Sequence, residues 1–199
     1  MLKFIGLLFL GALVWPSDSS VIIESPQLTS FGHWHNMQYC PDYMVAVGMQ
    51  VKVEGDQRGG DDTGLNAVAL YCDFHDRTFH SSRHRIMSGE GLFGDWQEIK
   101  YCPIGQMIVG FALRSEPDQR GEDDVAADNF AAYCGLPNSD RHSSKWIEGN
   151  TPGWGHWTGK QFCPDGYVVR GIQTQVEGNQ RGGDDTSLNN VKLACEQVV

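Results

Sequence analysis

The sequence lacks the features of several common protein classes. It has no excess of positive charge, since its formal net charge is −10 at pH 7, whereas nucleic acid and anionic membrane surfaces favour basic partners. After residue 20 it has no helical stripe of apolar residues, and it has no apolar run long enough to cross a membrane as a helix. We therefore expect an all-β chain that binds neither nucleic acid nor membrane.

Metal-binding patterns are also missing. No Cys-x2-Cys or His-x3-His pairs recur with the cysteines, as a structural zinc site would require. The chain contains no Asp-x-Asp-x-Asn-Gly calcium loop either, although it is rich in carboxylates. We accordingly expect no metal and no other cofactor.

The N-terminus predicts a secretory signal peptide over residues 1–20, although no Ala-x-Ala site marks the cleavage point. Lys3 precedes an apolar run from Phe4 to Trp15, and a polar exit, Pro16–Ser20, follows. This run is too short for a membrane span and has the layout of a signal sequence. We expect a secreted, extracellular, monomeric product in which residues 21–199 form a single domain.

One polar stretch occurs three times and organises the rest of the chain. Its copies read EGDQRGGDDTGLNAVALYC (54–72), EPDQRGEDDVAADNFAAYC (116–134) and EGNQRGGDDTSLNNVKLAC (177–195). With the Gly-x-Trp and Cys-Pro motifs that precede them, the copies align without a gap, and short β-type runs lie before each unit. The repeats therefore cover about 21–72, 85–134 and 145–195, which indicates an architecture built from three similar units.

The six cysteines fall in pairs, two in each repeat with the same separation. In a secreted chain such a set predicts a disulfide framework. The symmetric solution is one bridge within each repeat, namely Cys40–Cys72, Cys102–Cys134 and Cys163–Cys195. On the chain-entropy model, each bridge would stabilise the fold by about 3–4 kcal/mol through the unfolded state.

The apolar pattern within each repeat has a period of two residues, which predicts β-strands. In the first repeat Val45, Val47, Met49, Val51 and Val53 fall on one face. Each repeat is predicted to supply about four short strands, and hence one small antiparallel sheet. Such a sheet cannot bury its apolar face or protect its edges alone. Three sheets around a pseudo-threefold axis, a β-prism, solve this problem; a β-trefoil or another threefold all-β fold is the alternative.

The threefold Gly-x-Trp, Cys-Pro, Gln-Arg-Gly-x-Asp-Asp and Cys pattern resembles the vitelline membrane outer layer protein I family. The resemblance covers essentially all of residues 21–199. It implies a β-prism of three Greek-key sheets, secretion, and a place in egg coats or other extracellular fluids. It also implies a link to N-acetylglucosamine oligosaccharides, including transfer activity on them.

The repeated loop supplies most of the candidate ligand-binding residues. Its paired carboxylates could act on a glycosidic bond or accept hydrogen bonds from sugar hydroxyls. The asparagine and aspartate at the start of the following strand share the parity of core residues, so we expect them to point inward at one end of the prism. The loop candidates are Arg58, Asp61, Asp62, Asn66, Arg120, Asp123, Asp124, Asp128, Arg181, Asp184, Asp185 and Asn189.

A structural role for this loop is favoured over ligand binding, and ligand binding over catalysis. The arginine lies beside two aspartates, so the cluster can neutralise itself, and a catalytic site rarely occurs three times. The second repeat differs from the others, with Asp128 in place of asparagine. If one copy has a special role, this is the one.

The tryptophans suggest a different candidate. Trp34, Trp96 and Trp157 occupy equivalent positions, where we expect them to pack in the core or between sheets. Trp154 and Trp157 form the densest aromatic patch, and this patch is the best candidate for an exposed platform that binds sugar.

Two functional hypotheses follow. The favoured one is a non-enzymatic, secreted structural or carbohydrate-interacting protein, whose partners are coat or matrix proteins and glycans that contain N-acetylglucosamine. The alternative is an enzyme that transfers or hydrolyses N-acetylglucosamine oligosaccharides. The two hypotheses differ in whether any single carboxylate is essential.

Overall fold

The computed structural model describes residues 20–58, 62–74, 83–119, 124–181 and 185–198. Residues 1–19 of the predicted signal peptide lie outside the described residues, so the signal peptide stays a prediction. Within the described part, regular structure consists of β-strands and one short 3-10 helix, Arg141–Ser143. No helix in this part is long and apolar enough to cross a membrane.

Fifteen strands follow one another along the described part of the chain. They are β1 Val21–Glu24, β2 His33–Trp34, β3 Gln38–Tyr39, β4 Met44–Val53, β5 Leu65–Phe74, β6 His84–Met87, β7 Asp95–Trp96, β8 Lys100–Tyr101, β9 Met107–Ser115, β10 Ala127–Gly135, β11 Lys145–Glu148, β12 His156–Trp157, β13 Gln161–Phe162, β14 Tyr167–Val176 and β15 Leu188–Gln197.

The strands form three antiparallel five-stranded sheets with the same topology. Sheet I has the order β6-β5-β4-β7, and β8 also pairs with β4. Sheet II has the order β11-β10-β9-β12, and β13 also pairs with β9. Sheet III has the order β1-β15-β14-β2, and β3 also pairs with β14. In sheets I and II three consecutive strands pair in series and the next one returns beside the first, which is a Greek key. Sheet III has the same spatial order, with β1 in the place of the third strand and β2 in the place of the fourth. The fold is the predicted β-prism.

The prediction of one sheet per repeat is wrong. Each sheet takes its two long strands from one repeat and its three short strands from the next. Sheet III completes the ring, because β1 at the start of the described chain pairs with β15 at its end, with Val21 opposite Cys195. This exchange places each repeat in two sheets, so hydrogen bonds between neighbouring repeats hold the prism closed and leave fewer exposed strand edges.

The main core lies where the three sheets face one another. Its largest fully buried side chains come from every sheet, and Phe111 and Phe130 stack within it at 5.6 Å between ring centroids. The other large members include Met49, Leu65, Leu70, Ile108, Leu113, Ile172, Leu188 and Leu193. Burial of this apolar surface is the principal stabilising contribution.

The alternation predicted for β4 is interrupted. Val45 and Val47 belong to a second buried cluster, whereas Ala46 joins Met49 and Val51 in the main core. The reason is a β-bulge, seen as a register shift between Ala46 and Gly48. An extra residue in one strand reverses the facing of all positions beyond it.

The predicted disulfides are confirmed. Cys40–Cys72, Cys102–Cys134 and Cys163–Cys195 are bonded, with Cα–Cα distances of 5.7, 5.5 and 5.7 Å. Each bridge joins the segment before the first long strand of a repeat to its second long strand. The three bridges are therefore equivalent, and each closes a loop within one repeat.

Candidate functional site

The second aspartate of each loop holds the loop closed. Its buried carboxylate accepts a hydrogen bond from the backbone N–H of the glutamine five residues earlier. The three pairs are Gln57 to Asp62 at 2.7 Å, Gln119 to Asp124 at 2.7 Å, and Gln180 to Asp185 at 2.5 Å. A charged acceptor for a partly buried amide is a strong structural contact, which explains why the aspartate is present in every copy.

A further contact in these loops involves a glutamate that the sequence did not single out as a candidate. Glu54 Oε2 accepts hydrogen bonds from Thr63, from Oγ1 at 2.7 Å and from the backbone N–H at 3.3 Å. Glu177 and Thr186 repeat this arrangement at 2.7 and 3.2 Å. In the second repeat the threonine position holds Val125, so this side-chain contact cannot form there.

The buried asparagines connect one repeat to the next. Asn66 donates to Thr63 Oγ1 at 2.6 Å and accepts the backbone N–H of Phe93 at 3.1 Å. Asn189 makes the same pair of contacts with Thr186 and with Phe31. Ser187 also donates to Asn66 Oδ1, at 2.8 Å, so residues of the third and first repeats meet at this end of the prism.

The described loop arginines have a backbone role. Arg58 and Arg181 are exposed and adopt positive φ angles of 57° and 56°. Their backbone N–H groups donate to the side chains of Asp56 and Asn179, each at 2.7 Å. Four other candidates, Arg120, Asp61, Asp123 and Asp184, lie outside the described residues, so the expected pairing of each arginine with both aspartates stays a prediction.

Asp128, the deviant residue of the second repeat, is completely buried. Thr151 Oγ1 donates to its Oδ2 at 2.9 Å, and Arg114 Nε lies 3.7 Å from the same oxygen. Burial raises the pKa of the Asp128 carboxyl, although Thr151, the backbone amides of Gly153 and Trp154, and the charge of Arg114 all favour its ionised form. Asp128 thus fixes the position of the chain segment that precedes β12.

The polar groups at the loop end are used mainly by the protein itself. Each of the buried aspartates and asparagines described above has an intramolecular partner, and these contacts join a loop to itself or to the next repeat. Such contacts account for the threefold presence of the loop without a ligand. Among the described residues, no group of histidine, cysteine, aspartate or glutamate side chains could hold a metal ion.

An open groove of about 320 Å³ lies on the outer face of sheet II. Trp146 of β11 and Trp157 of β12 line it, with 57% and 39% of their surfaces exposed, and the buried Ala112 and Ala131 form its floor. Its other lining residues are Tyr133, Glu148, Gly159 and Lys160. An aromatic cleft with a few polar groups is the usual form of a small-ligand site.

Gly155 positions the Trp157 ring. Its φ is 63°, and a Cβ at this position would lie 2.3 Å from the carbonyl oxygen of Ser115. Only glycine lets the chain approach β9 this closely, and the approach places Trp157 opposite Arg114 in the ladder. The glycines before Trp34 and Trp96 make the same approach, with φ angles of 74° and 72°.

The equivalent tryptophans on the other two sheets are covered by cations. On sheet I the Arg85 guanidinium lies 4.2 Å from the Trp96 ring centroid. On sheet III Lys192 Nζ lies 4.1 Å from the Trp34 centroid and also 3.4 Å from Glu24. The register places Trp146 of sheet II where sheet I has Arg85, since each lies opposite a tyrosine of the neighbouring strand. Trp146 therefore takes the place of a covering arginine and forms a second aromatic wall of the groove.

The expectation that all three tryptophans pack in the core or between sheets is wrong. Trp34 and Trp96 are half-buried on the outer faces beneath their cations, and Trp157 is exposed. Of the two residues predicted as a sugar platform, Trp157 lines the groove, whereas the half-buried Trp154 does not. Trp146 was missed, because its place beside the groove follows from its pairing with Tyr133, which no local sequence pattern signals.

The electrostatic character of the groove is mixed. Glu148 and Lys160 place one acceptor and one donor at its edge, and Lys160 Nζ lies 5.1 Å from the Tyr133 ring centroid. Burial, and next the negative charge of Glu148, raise the pKa of the Tyr133 hydroxyl. Tyr133 is therefore a neutral hydroxyl at physiological pH, which leaves the groove with balanced charges and suits a neutral polar ligand.

The fold is similar to that of β-prism proteins of the jacalin type. Single-chain recombinant jacalin is 7% identical with a TM-score of 0.56, over 93% of this chain and 99% of that one. Calystegia sepium agglutinin is 11% identical with a TM-score of 0.54, over 90% and 97%. A Calsepa lectin structure in complex with a biantennary N-glycan is 10% identical with a TM-score of 0.55, over 90% and 97%. At these identities the likeness shows the fold alone.

Sequence comparison then gives the family. The model of the family named vitelline membrane outer layer protein I matches residues 21–198, and the chain belongs to this family. A human vitelline membrane outer layer protein 1 homolog is 33% identical over 180 residues, which is 88% of this chain and 83% of the relative. A mouse homolog is 31% identical over 110 residues, or 55% and 54%.

Proposed function

We propose that the protein is a secreted component of an extracellular coat that binds glycans containing N-acetylglucosamine, without chemical turnover. The observation that carries the proposal is the groove on sheet II, where Trp146 and Trp157 are exposed on either side of an alanine floor. Family membership and the glycan complex of a fold relative agree with this function.

The groove has the chemistry of a saccharide site. The C–H groups of a pyranose ring form apolar faces that pack on indole rings, while hydroxyl groups at the ring edge need donors and acceptors. Trp146 and Trp157 supply the apolar surfaces, and Glu148 and Lys160 supply polar groups at the edge. The floor residues Ala112 and Ala131 leave room for a ring between the indoles.

Secretion and a structural role in a coat have separate support. Three disulfides are typical of proteins that mature in an oxidising compartment. A prism closed by strand exchange, with a bridge in each repeat, suits a protein that has to remain folded outside the cell. A non-enzymatic role agrees with the loop carboxylates, because Asp62, Asp124 and Asp185 hold backbone amides.

The experiment is a glycan array with the mature chain, followed by calorimetric titration with the β1,4-linked trimer of N-acetylglucosamine. We expect binding that Trp157→Ala and Trp146→Ala each weaken by at least about tenfold, since each removes one aromatic wall. Trp96→Ala is the matched control, because Trp96 lies at the equivalent position of sheet I beneath Arg85. Absence of binding to every glycan would overturn the proposal and leave a purely structural or protein-binding role.

A further inference from the structure

We propose that the groove on sheet II selects N-acetylated sugars, with the backbone carbonyl of Thr158 as the acceptor for the acetamido N–H. This inference rests on the proposed glycan-binding function and assigns the group that would determine specificity. It comes from a difference between the three pseudo-equivalent faces of the prism.

On two faces a glutamine amide satisfies the carbonyl that follows the tryptophan. On sheet I Gln50 Nε2 donates to the carbonyl of Gln97 at 2.7 Å. On sheet III Gln173 Nε2 donates to the carbonyl of His35, also at 2.7 Å. Each glutamine lies across the outer face of its sheet, and each acceptor directly follows the tryptophan of the short strand.

Sheet II has no such donor. Ala112 occupies the glutamine position, because it lies opposite Ala131 in the ladder as Gln50 lies opposite Ala69 and Gln173 opposite Lys192. The corresponding carbonyl belongs to Thr158, whose neighbours in the chain, Trp157 and Gly159, both line the groove. Within the described part of the chain, no side chain donates a hydrogen bond to this oxygen.

The space and the acceptor together match one chemical group. A glutamine side chain exceeds that of alanine by one methylene and one carboxamide, which are the atoms of an acetamide. Ala112 therefore leaves room for an acetamide beside the Thr158 carbonyl. The acetamido substituent of a sugar has the same atoms and offers an amide N–H as donor, while its pyranose ring packs between Trp146 and Trp157.

A hydrogen bond from an N–H group to the Thr158 carbonyl would favour N-acetylated sugars over sugars without an acetamido group. When a site contains an acceptor that needs a donor, a ligand that lacks the matching group leaves the acceptor unpaired and binds less tightly. A glucose ring has only a hydroxyl at that carbon, which fills less of the space above Ala112. We expect the difference in affinity to be roughly tenfold.

The test compares the β1,4-linked trimers of N-acetylglucosamine and of glucose by calorimetry, on the wild type, Ala112→Gln and Gln50→Ala. The acetylated trimer is expected to bind the wild type about tenfold more tightly. Ala112→Gln supplies its own amide to Thr158 and fills the groove, so binding is lost while the melting temperature is maintained. Gln50→Ala is the matched control on sheet I and leaves binding unchanged.

The alternative outcomes separate this inference from the function beneath it. Equal binding of both trimers, with loss in Trp157→Ala, keeps the glycan site and overturns acetamide selection. Full binding by a folded Ala112→Gln variant also overturns the inference, because the amide position would then be irrelevant. If neither trimer binds the wild type and the array is blank, both proposals fail.

Discussion

Thr151 donates a hydrogen bond to Asp128 at 2.9 Å, and this pair anchors the chain segment that enters β12. The other two repeats have asparagine at the position of Asp128, with a threonine three residues earlier as its partner. The second repeat has Val125 there, so its carboxyl group uses Thr151 instead. The deviant copy is therefore a local change of partner, and Asp128 lies near the start of β10, the strand that also carries the groove residues Ala131 and Tyr133.

The buried carboxyl of Asp128 should make stability depend on pH. Burial is the main cause that raises its pKa in the folded state, so the folded protein binds this proton more tightly than the unfolded chain. The resulting stabilisation is fully present below the unfolded pKa and is lost as pH rises through the higher, folded pKa. We expect the Asp128→Asn variant not to show this loss of stability as pH rises.

The measurement is urea unfolding from pH 3 upwards, with the difference in unfolding free energy between wild type and Asp128→Asn plotted against pH. Asp56→Asn, at an exposed loop position, serves as the control for removal of one carboxylate. A difference that does not change with pH would contradict the assignment to Asp128.

The loop aspartates should prove structural. Asp62→Asn, Asp124→Asn and Asp185→Asn, made one at a time, keep an oxygen that can accept the glutamine N–H, so we expect glycan binding to persist. The corresponding alanine variants leave that amide without its acceptor and should lose about 1–3 kcal/mol of unfolding free energy each. Titration with chitooligosaccharides and denaturant unfolding check the two statements.

A different result would favour the enzyme hypothesis. If the protein turns over an N-acetylglucosamine oligosaccharide, and one of the asparagine variants loses turnover while it stays folded, that carboxylate has a chemical role. Loss of binding in all three variants together would instead indicate a ligand site at the loop end.

Gly155 should be intolerant of substitution. Alanine there would have to adopt a positive φ, which costs about 1–2 kcal/mol, and its Cβ would lie 2.3 Å from the Ser115 carbonyl oxygen. We expect Gly155→Ala to lower the melting temperature and to displace Trp157, so that glycan binding weakens as well.

Gly55→Ala and Gly178→Ala are matched controls for this substitution. A Cβ at either position has no atom within 4 Å, and neither residue has a positive φ. Their melting temperatures should stay close to that of the wild type in thermal unfolding followed by circular dichroism. If Gly155→Ala has the same melting temperature as these two controls, the close approach of the chain to β9 is dispensable.

Sequence reasoning was accurate where the information is local or repeated. The period-two pattern gave strands, and three equal cysteine spacings gave the bridges, such as Cys40–Cys72. It failed where partners are distant. Nothing in a strand pattern says that β6 pairs with the preceding repeat, and the bulge near Gly48 moved Val45 and Val47 out of the predicted face.

The groove shows the same division. Trp157 was a candidate because its sequence neighbourhood is aromatic, whereas Trp146 lies in the short strand β11, whose register becomes visible only through the pairing of Trp146 with Tyr133. The role of Ala112 in the groove likewise cannot be recognised from the sequence alone. A small residue in a strand is ordinary, and it becomes informative only when the ladder places it where Gln50 and Gln173 cover the other faces.

The amino-acid sequence alone determined that this protein is threefold, all-β and disulfide-bonded, because repetition, side-chain alternation and cysteine spacing are properties of short stretches of chain. Only the tertiary structure decided which repeat completes which sheet, and which face of the prism is open. Those outcomes depend on hydrogen bonds and contacts between residues far apart in sequence, such as Arg85 over Trp96. The polar loop that stands out in the sequence has a structural role, because its side chains bond within the loop and to the next repeat. The site we propose is the groove on the outer face of sheet II.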